Sequence, residues 1–299
     1  ILKILDYFPT MSKGIIYLAL FFLTLNACGQ QTTKSPNRVG DSESFENILR
    51  TDSEGNTIAS RFNVPKGYRR IPVDSTSFAN YLRYLPLKKD GALVTYFDGR
   101  SKPNRNVYDA VVDLPIGKRD LHQCADAVMR LRADFLFKNK KYDSIHFNFT
   151  NGFLADYANW RKGKRIVVNG NQVYWKQRTQ ASDSPKVFWK YLEMVFSYAG
   201  TASLEKEMKS ISIDALRIGD VFIKGGFPGH AVIVVDMAID ETNNEKVFLL
   251  APSYMPAQEI QVLKNPTSGN LSPWYRISDI GEELVTPEWK FSKNELKRF

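Results

Sequence analysis

Apolar positions recur along this chain in two periods, and the alternation between them sketches a mixed architecture. Ser77 to Leu85 reads as a short helix, while Ala92 to Phe97 and Val107 to Leu114, rich in β-branched and aromatic residues, read as strands. After Asp120 the residues Leu121, Cys124, Val128, Leu131 and Phe135 recur at helical spacing. Asp120 suits an N-cap and Gln123, three residues on, completes a capping-box pattern, which places Cys124 in the first turn. Ile145 to Phe149 is a further strand, and Ile166 to Tyr174 with Asn169-Gly170 at its middle reads as a hairpin. Ser184-Pro185 opens a helix running through Ala199, with Phe188, Tyr191, Leu192, Val195 and Phe196 on one face and Gly200 ending it. The last third is strand-rich, at Asp220 to Lys224, Ala231 to Met237, Lys246 to Ala251 and Glu259 to Leu263. Helices followed by a run of strands predict an α+β fold.

The N-terminal part follows a different pattern. Met11 is the expected start, Lys13 supplies a positive charge, and Ile15 to Leu25 is an apolar run of signal-peptide length, shorter than the roughly 20 residues of a membrane span. Leu25-Asn26-Ala27-Cys28 is similar to a lipobox, in which Cys28 would carry lipid and hold the protein on a membrane. Gly29 to about Asn47 is polar and builds no core, so it is expected to be a tether. The predicted organisation is a signal segment over 1–28, a tether over 29–47 and a single α+β domain over 48–299. A periplasm-facing, membrane-anchored lipoprotein of the bacterial envelope is the expected setting, since no acidic run follows Cys28.

A formal charge of +9 comes from scattered Lys and Arg. Clusters such as Lys138 to Lys141 and Arg161 to Arg165 read as solvated surface, and no nucleic-acid partner is expected. The chain lacks a Gly-x-Ser-x-Gly elbow, a phosphate-binding Gly-x-x-x-x-Gly-Lys, a Cys-x-x-Cys and a His-Glu-x-x-His. His122, Cys124, His146 and His230 have no helical metal-ligand spacing, so neither metal nor cofactor is expected.

With Cys28 lipidated, Cys124 is left as a lone thiol. At a helix start it would face free amides and the positive end of the dipole, which lower a thiol pKa and favour the nucleophilic thiolate. His230 stands at the entry of an apolar strand, after the glycine-rich Gly225-Gly226-Phe227-Pro228-Gly229, where it can serve as a base. Asp236 is expected on the same strand face but roughly 20 Å away, too far to orient His230. Folding Ala231 to Met237 back on Lys246 to Ala251 brings residues near 252 to 256 opposite His230, with Ser253 and Gln258 the polar candidates for a third catalytic residue.

The order of a cysteine at a helix start, a Gly-Asp-Val strand and a Gly-His-Ala strand resembles the CHAP/NlpC-type papain-like cysteine amidohydrolases, over about 120 to 135 and 218 to 258. From about Arg61 to Phe291 the chain is more similar to the family called domain of unknown function 4846, of Bacteroidetes lipoproteins. Leu121-His122-Gln123-Cys124-Ala125-Asp126-Ala127, Phe196-Ser197-Tyr198-Ala199-Gly200-Thr201, Gly229-His230-Ala231 and Ser253-Tyr254-Met255-Pro256-Ala257-Gln258 carry that similarity.

The papain-like resemblance implies a core in which the helix bearing Cys124 packs on an antiparallel sheet. Cys124 would attack an amide carbonyl, His230 would shuttle the proton, and the Cys124 backbone amide with Gln123 or His122 would meet the oxyanion. The superfamily's polar third residue would fall where Pro252 stands, so a Cys-His dyad or an inactive relative is the form implied. The function expected is a lipid-anchored cysteine amidase or endopeptidase acting on cell-wall peptide or another envelope amide. The alternative is a non-catalytic lipoprotein of the same fold that binds peptide, glycan or protein.

Overall fold

A computed structural model describes residues 50–299; the expected signal segment, Cys28 included, and the whole of the expected tether lie outside the described residues. Two short helices, α1 (Ile58–Arg61) and α2 (Phe78–Arg83), begin at Thr57 and Ser77, whose hydroxyls accept from the backbone N–H of Ser60 and Asn80. Between them runs β1 (Arg69–Arg70). Ala92 to Phe97 does not form the expected strand. The chain doubles back at Asp98-Gly99, where Gly99 takes φ 86° and donates to the Tyr96 carbonyl, so only single bridges form, from Thr95 to Ser101 and from Tyr96 to Gln258. The next predicted strand is present as β2 (Tyr108–Val111).

Helix α3 (Cys124–Lys138) starts later than the Asp120 cap implies, with Gln123 as N-cap and Cys124 as its first residue. A tertiary contact outcompetes the local one: Asp120 Oδ1 accepts from the Ala257 N–H (2.7 Å) and from Gln123 Nε2 (3.1 Å). Asp126, in the first turn, accepts from the Gln123 N–H through Oδ2 (3.0 Å). Cys124, Val128, Leu131 and Phe135 are buried as the spacing predicts.

Two hairpins follow, β3 (His146–Asn148) with β4 (Leu154–Asp156), and, after α4 (Tyr157–Arg161), β5 (Lys164–Asn169) with β6 (Gln172–Gln177). Gly170 supplies the positive φ that the second turn needs. Helix α5 (Pro185–Tyr198) buries the five apolar residues of its predicted face. Gly200 then serves as N-cap of α6 (Thr201–Glu207), a helix too short to leave a periodic signature in the sequence.

The main sheet is antiparallel. Its order is β12 (Tyr275–Arg276), β10 (Glu245–Ala251), β9 (His230–Asp240), β8 (Val221–Lys224), β15 (Leu296–Arg298) and β7 (Lys209–Ser210), with β1 beside the far end of β9. A separate pair joins β2 to β11 (Gln261–Leu263), and the hairpin of β13 (Glu283–Val285) and β14 (Lys290–Ser292) carries Trp289 and Phe291. The protein is thus mixed α+β with antiparallel sheets.

Strand β9 has buried residues from His230 through Ala238 and divides two cores. Ala231, Ile233 and Val235 join the helix-side core with Val128, Leu131 and Leu192, while Val232 and Val234 join Phe222, Phe248 and Phe291 on the other side. Burying each of these large side chains contributes about 1.5–3 kcal/mol, so the alternation fixes which residues face α3. The register shifts at Leu249/Leu250, which pair with Asp236 and Val234 and leave Val235 as an extra residue on β9. Asp236, expected on the His230 face, is therefore turned toward α2 and β1, from which Arg83 Nε (2.6 Å) and Arg70 Nε (2.7 Å) bind its two oxygens.

Candidate functional site

The same strand alternation that builds the core decides where His230 lies. It shares the sheet face of Val232 and Val234, and its ring packs against Tyr254 (4.7 Å between centroids), Trp289 (5.4 Å) and Phe291 (5.8 Å). Cys124 begins the helix on the opposite face, but His230 is the first residue of its strand, and there both residues reach one space. The backbone amides of Cys124, Ala125 and Ala231 are the groups that favour the Cys124 thiolate, and Ala231 directly follows His230. Both side chains line one cleft of about 660 Å³, together with Asp126, Phe196, Tyr254 and Trp289.

The loop before His230 is shaped by glycine. A Cβ on Gly229 would overlap Thr201 Oγ1 and lie 2.6 Å from the Gly226 carbonyl oxygen, so only glycine lets this loop press on α6. Thr201 Oγ1 donates to the Gly226 carbonyl (3.2 Å) and ties the loop down.

Electrostatics in the cleft run against the expected thiolate. Burial, with the Asp126 carboxyl beside it, pushes the Cys124 thiol up to about 11, and the three backbone amides offset only part of this. Burial, followed by the Lys102 ammonium, holds the His230 imidazole down to about 3. Cys124 and His230 are therefore both neutral near pH 7, and no hydrogen bond to either His230 ring nitrogen is found among the described residues. Asp126 is also buried, which raises its carboxyl well above the usual range, and its Oδ1 has no partner.

The remaining candidate residues serve the turn that carries Cys124. Ser253 Oγ does not reach for His230; it lies 2.9 Å from the His122 carbonyl oxygen and 2.7 Å from that of Gln258, and its proton is shared between them. Gln258 is buried with both side-chain amide atoms unpartnered, and its carbonyl accepts from His122 Nδ1 (3.2 Å). His122 is sealed from solvent against Phe196, with Nε2 unpartnered, and does not line the cleft. Gln123 does line it, although its side-chain amide is engaged by Asp120. The structure brings together Cys124, Gln123 and His230, and places Ser253, Gln258 and His122 beneath them as a brace.

Two residues of the site were missed from sequence. Tyr254, not Ser253, packs on His230, because the β9 bulge moves the residue opposite His230 along by one; continuing the pairing of Ala251 with Ile233 reaches it. Trp289 arrives on the distant β13–β14 hairpin, for which no local pattern gives a signal. Among the described residues no group of three or more His, Cys, Asp or Glu is arranged to hold a metal ion, and no helix is long and apolar enough to cross a membrane.

Fold and site together define a mixed α+β protein with a cysteine and a histidine lining one cleft. The chain belongs to the family described as domain of unknown function (4846), which matches residues 58–298. No curated protein and no solved structure matches it.

Proposed function

We propose that this protein is a cysteine amidase or endopeptidase of papain-like architecture, with Cys124 as nucleophile and His230 as proton carrier. The observation that carries the reading is the cleft that Cys124, the first residue of α3, shares with His230. With both groups neutral, attack proceeds by general-base catalysis. As Sγ bonds to the carbonyl carbon, its proton passes to His230 and the carbonyl electron pair moves to the oxygen, which the Cys124 N–H receives. The C–N bond then breaks, the amine leaves with the proton from His230, and a thioester remains on Cys124. Water attacks the thioester, giving one proton to His230; the acid departs and the thiol is restored. With lipid on Cys28, the enzyme would stand at a membrane of the cell envelope and meet cell-wall peptide or another envelope amide.

The test is mass spectrometry of the protein after incubation with peptide amides and with purified cell-wall fragments. An acyl adduct on Cys124 that accumulates in the native chain and is lost in His230→Ala is the expected result. Absence of both adduct and hydrolysed product across the panel would overturn the enzyme reading. A second reading, a non-catalytic binding lipoprotein of the same fold, is favoured by the high thiol pKa and by the lack of a sulfur-imidazole hydrogen bond.

A further inference from the structure

The walls of the Cys124 cleft restrict what it can hold. Among the described residues no lysine or arginine lines it; its ionisable members are Cys124, Asp126, His230 and Tyr254. The cation behind Tyr254, Lys102, is bound to Glu288 at 2.6 Å with its Nζ 5.7 Å from the Tyr254 ring centre. A ligand carboxylate entering the cleft would lose its water without gaining a free counter-charge. Two large apolar side chains of the cleft stand in water, Phe227 at 96% and Met255 at 53% exposed, while Phe196 is buried. Large apolar side chains held in water next to a cleft mark a contact for an apolar group.

Among the residues lining the cleft, Asp126 carries a buried polar atom left without a partner. Asp126 is 6% exposed, uses Oδ2 for the Gln123 N–H, and leaves Oδ1 without a partner. A buried polar atom in that state costs about 1–3 kcal/mol until something pairs with it. Burial favours the protonated carboxyl, which both donates and accepts. Of small neutral groups, an amide matches both capacities, since its N–H donates and its carbonyl accepts.

We infer that the cleft takes an uncharged amide bearing an apolar chain, with the amide paired to Asp126 Oδ1 and the chain lying against Phe227 and Met255. This inference rests on the reading of the cleft as the substrate site and narrows its substrate within the envelope amides. Carboxylate-rich peptides are thereby disfavoured.

Binding can be measured without the nucleophile. In Cys124→Ser, Trp289 fluorescence reports occupancy as N-butyl, N-hexyl and N-octyl acetamide are titrated, beside the alkyl carboxylates of equal length and with Trp289→Phe as blank. Affinity is expected to rise up to about fourfold per added methylene. Amides are expected to exceed carboxylates by about tenfold. Asp126→Ala should erase the preference for amides, and Phe227→Ala the dependence on chain length, in proteins whose unfolding midpoints show that they fold. Affinity independent of chain length, carboxylates binding as well as amides, or absence of any binding would each overturn the inference. Because Cys124 is absent from this assay, an inert thiol in the acyl-adduct experiment would fail the enzyme reading alone.

Discussion

The ring of Tyr254 covers the ring of His230, with centroids 4.7 Å apart and planes inclined at 58°. Burial beneath this ring, with Trp289 beside it, and then the Lys102 ammonium hold the imidazole down to about 3. Tyr254→Ala is therefore expected to raise the His230 titration toward the ordinary value near 6.5, while Tyr254→Phe leaves it low. Imidazole proton NMR across pH 3–8 checks this; an unmoved His230 resonance in Tyr254→Ala would locate the cause elsewhere.

The Cys124 thiol, pushed up to about 11 by burial and Asp126, should react slowly with iodoacetamide. Relative to a thiol of pKa 9.0, the two-unit rise implies about a hundredfold less thiolate near neutral pH. The labelling rate should climb through pH 10 and above. A plateau reached near pH 7 would show that the helix start, and not burial, controls the sulfur.

His122 and His230 are both held neutral to about pH 3. Their folded pKa values lie below the unfolded 6.5, so unfolding takes up protons as pH falls. Stability from these groups is complete above about pH 6.5 and is lost progressively toward pH 3, by about 1.4 kcal/mol per pH unit for each. Glu207, raised to about 7 by burial, acts in the opposite sense as pH falls from about 7 toward 4.5. The difference between the native chain and His122→Gln in urea unfolding at pH 7, 6, 5 and 4 isolates the histidine contribution. Parallel stability curves would contradict it.

Asp236 is buried between Arg70 and Arg83, and its Oδ1 also accepts from the Met237 N–H (2.8 Å). Asp236→Ala leaves the buried Arg83 without its counter-charge and should lower stability by about 3–5 kcal/mol. The Cys124 labelling rate at temperatures where the variant stays folded should not change. Loss of labelling control without loss of stability would place Asp236 in the site instead.

Gly229→Ala meets backbone as well as a side chain, since the new Cβ lies within 2.8 Å of both the Gly226 and Lys224 carbonyl oxygens. It should destabilise by about 1–3 kcal/mol and displace His230, with no rescue by Thr201→Ala. Gly225→Ala meets first the flexible end of Glu205 and should be milder. Circular dichroism melts of the three variants decide the order.

Much of this architecture was legible in the chain itself. The apolar face of α5, the hairpin at Gly170, the strands β8, β9 and β10, and the burial of Cys124, Val128, Leu131 and Phe135 follow from periodicity, because burial of one face is a local constraint repeated at fixed spacing. The start of α3 was misplaced because Asp120 found a partner in Ala257, which no local pattern records. Ser253 and Gln258 were polar and near His230 along the folded-back strand, yet their hydrogen bonds go to the turn before Cys124.

What the residues determined alone is the α+β class, the lone thiol at a helix start and the histidine at a strand entry. Tertiary structure decided the rest: one extra residue in β9 reversed the facing of Asp236 and brought Tyr254 onto His230, and enclosure by distant chain reversed the expected charge of the thiol. The physical reason is that a pKa depends on how much water remains around a group, and the water is excluded by neighbours such as Tyr254 and Trp289 that are distant in the chain.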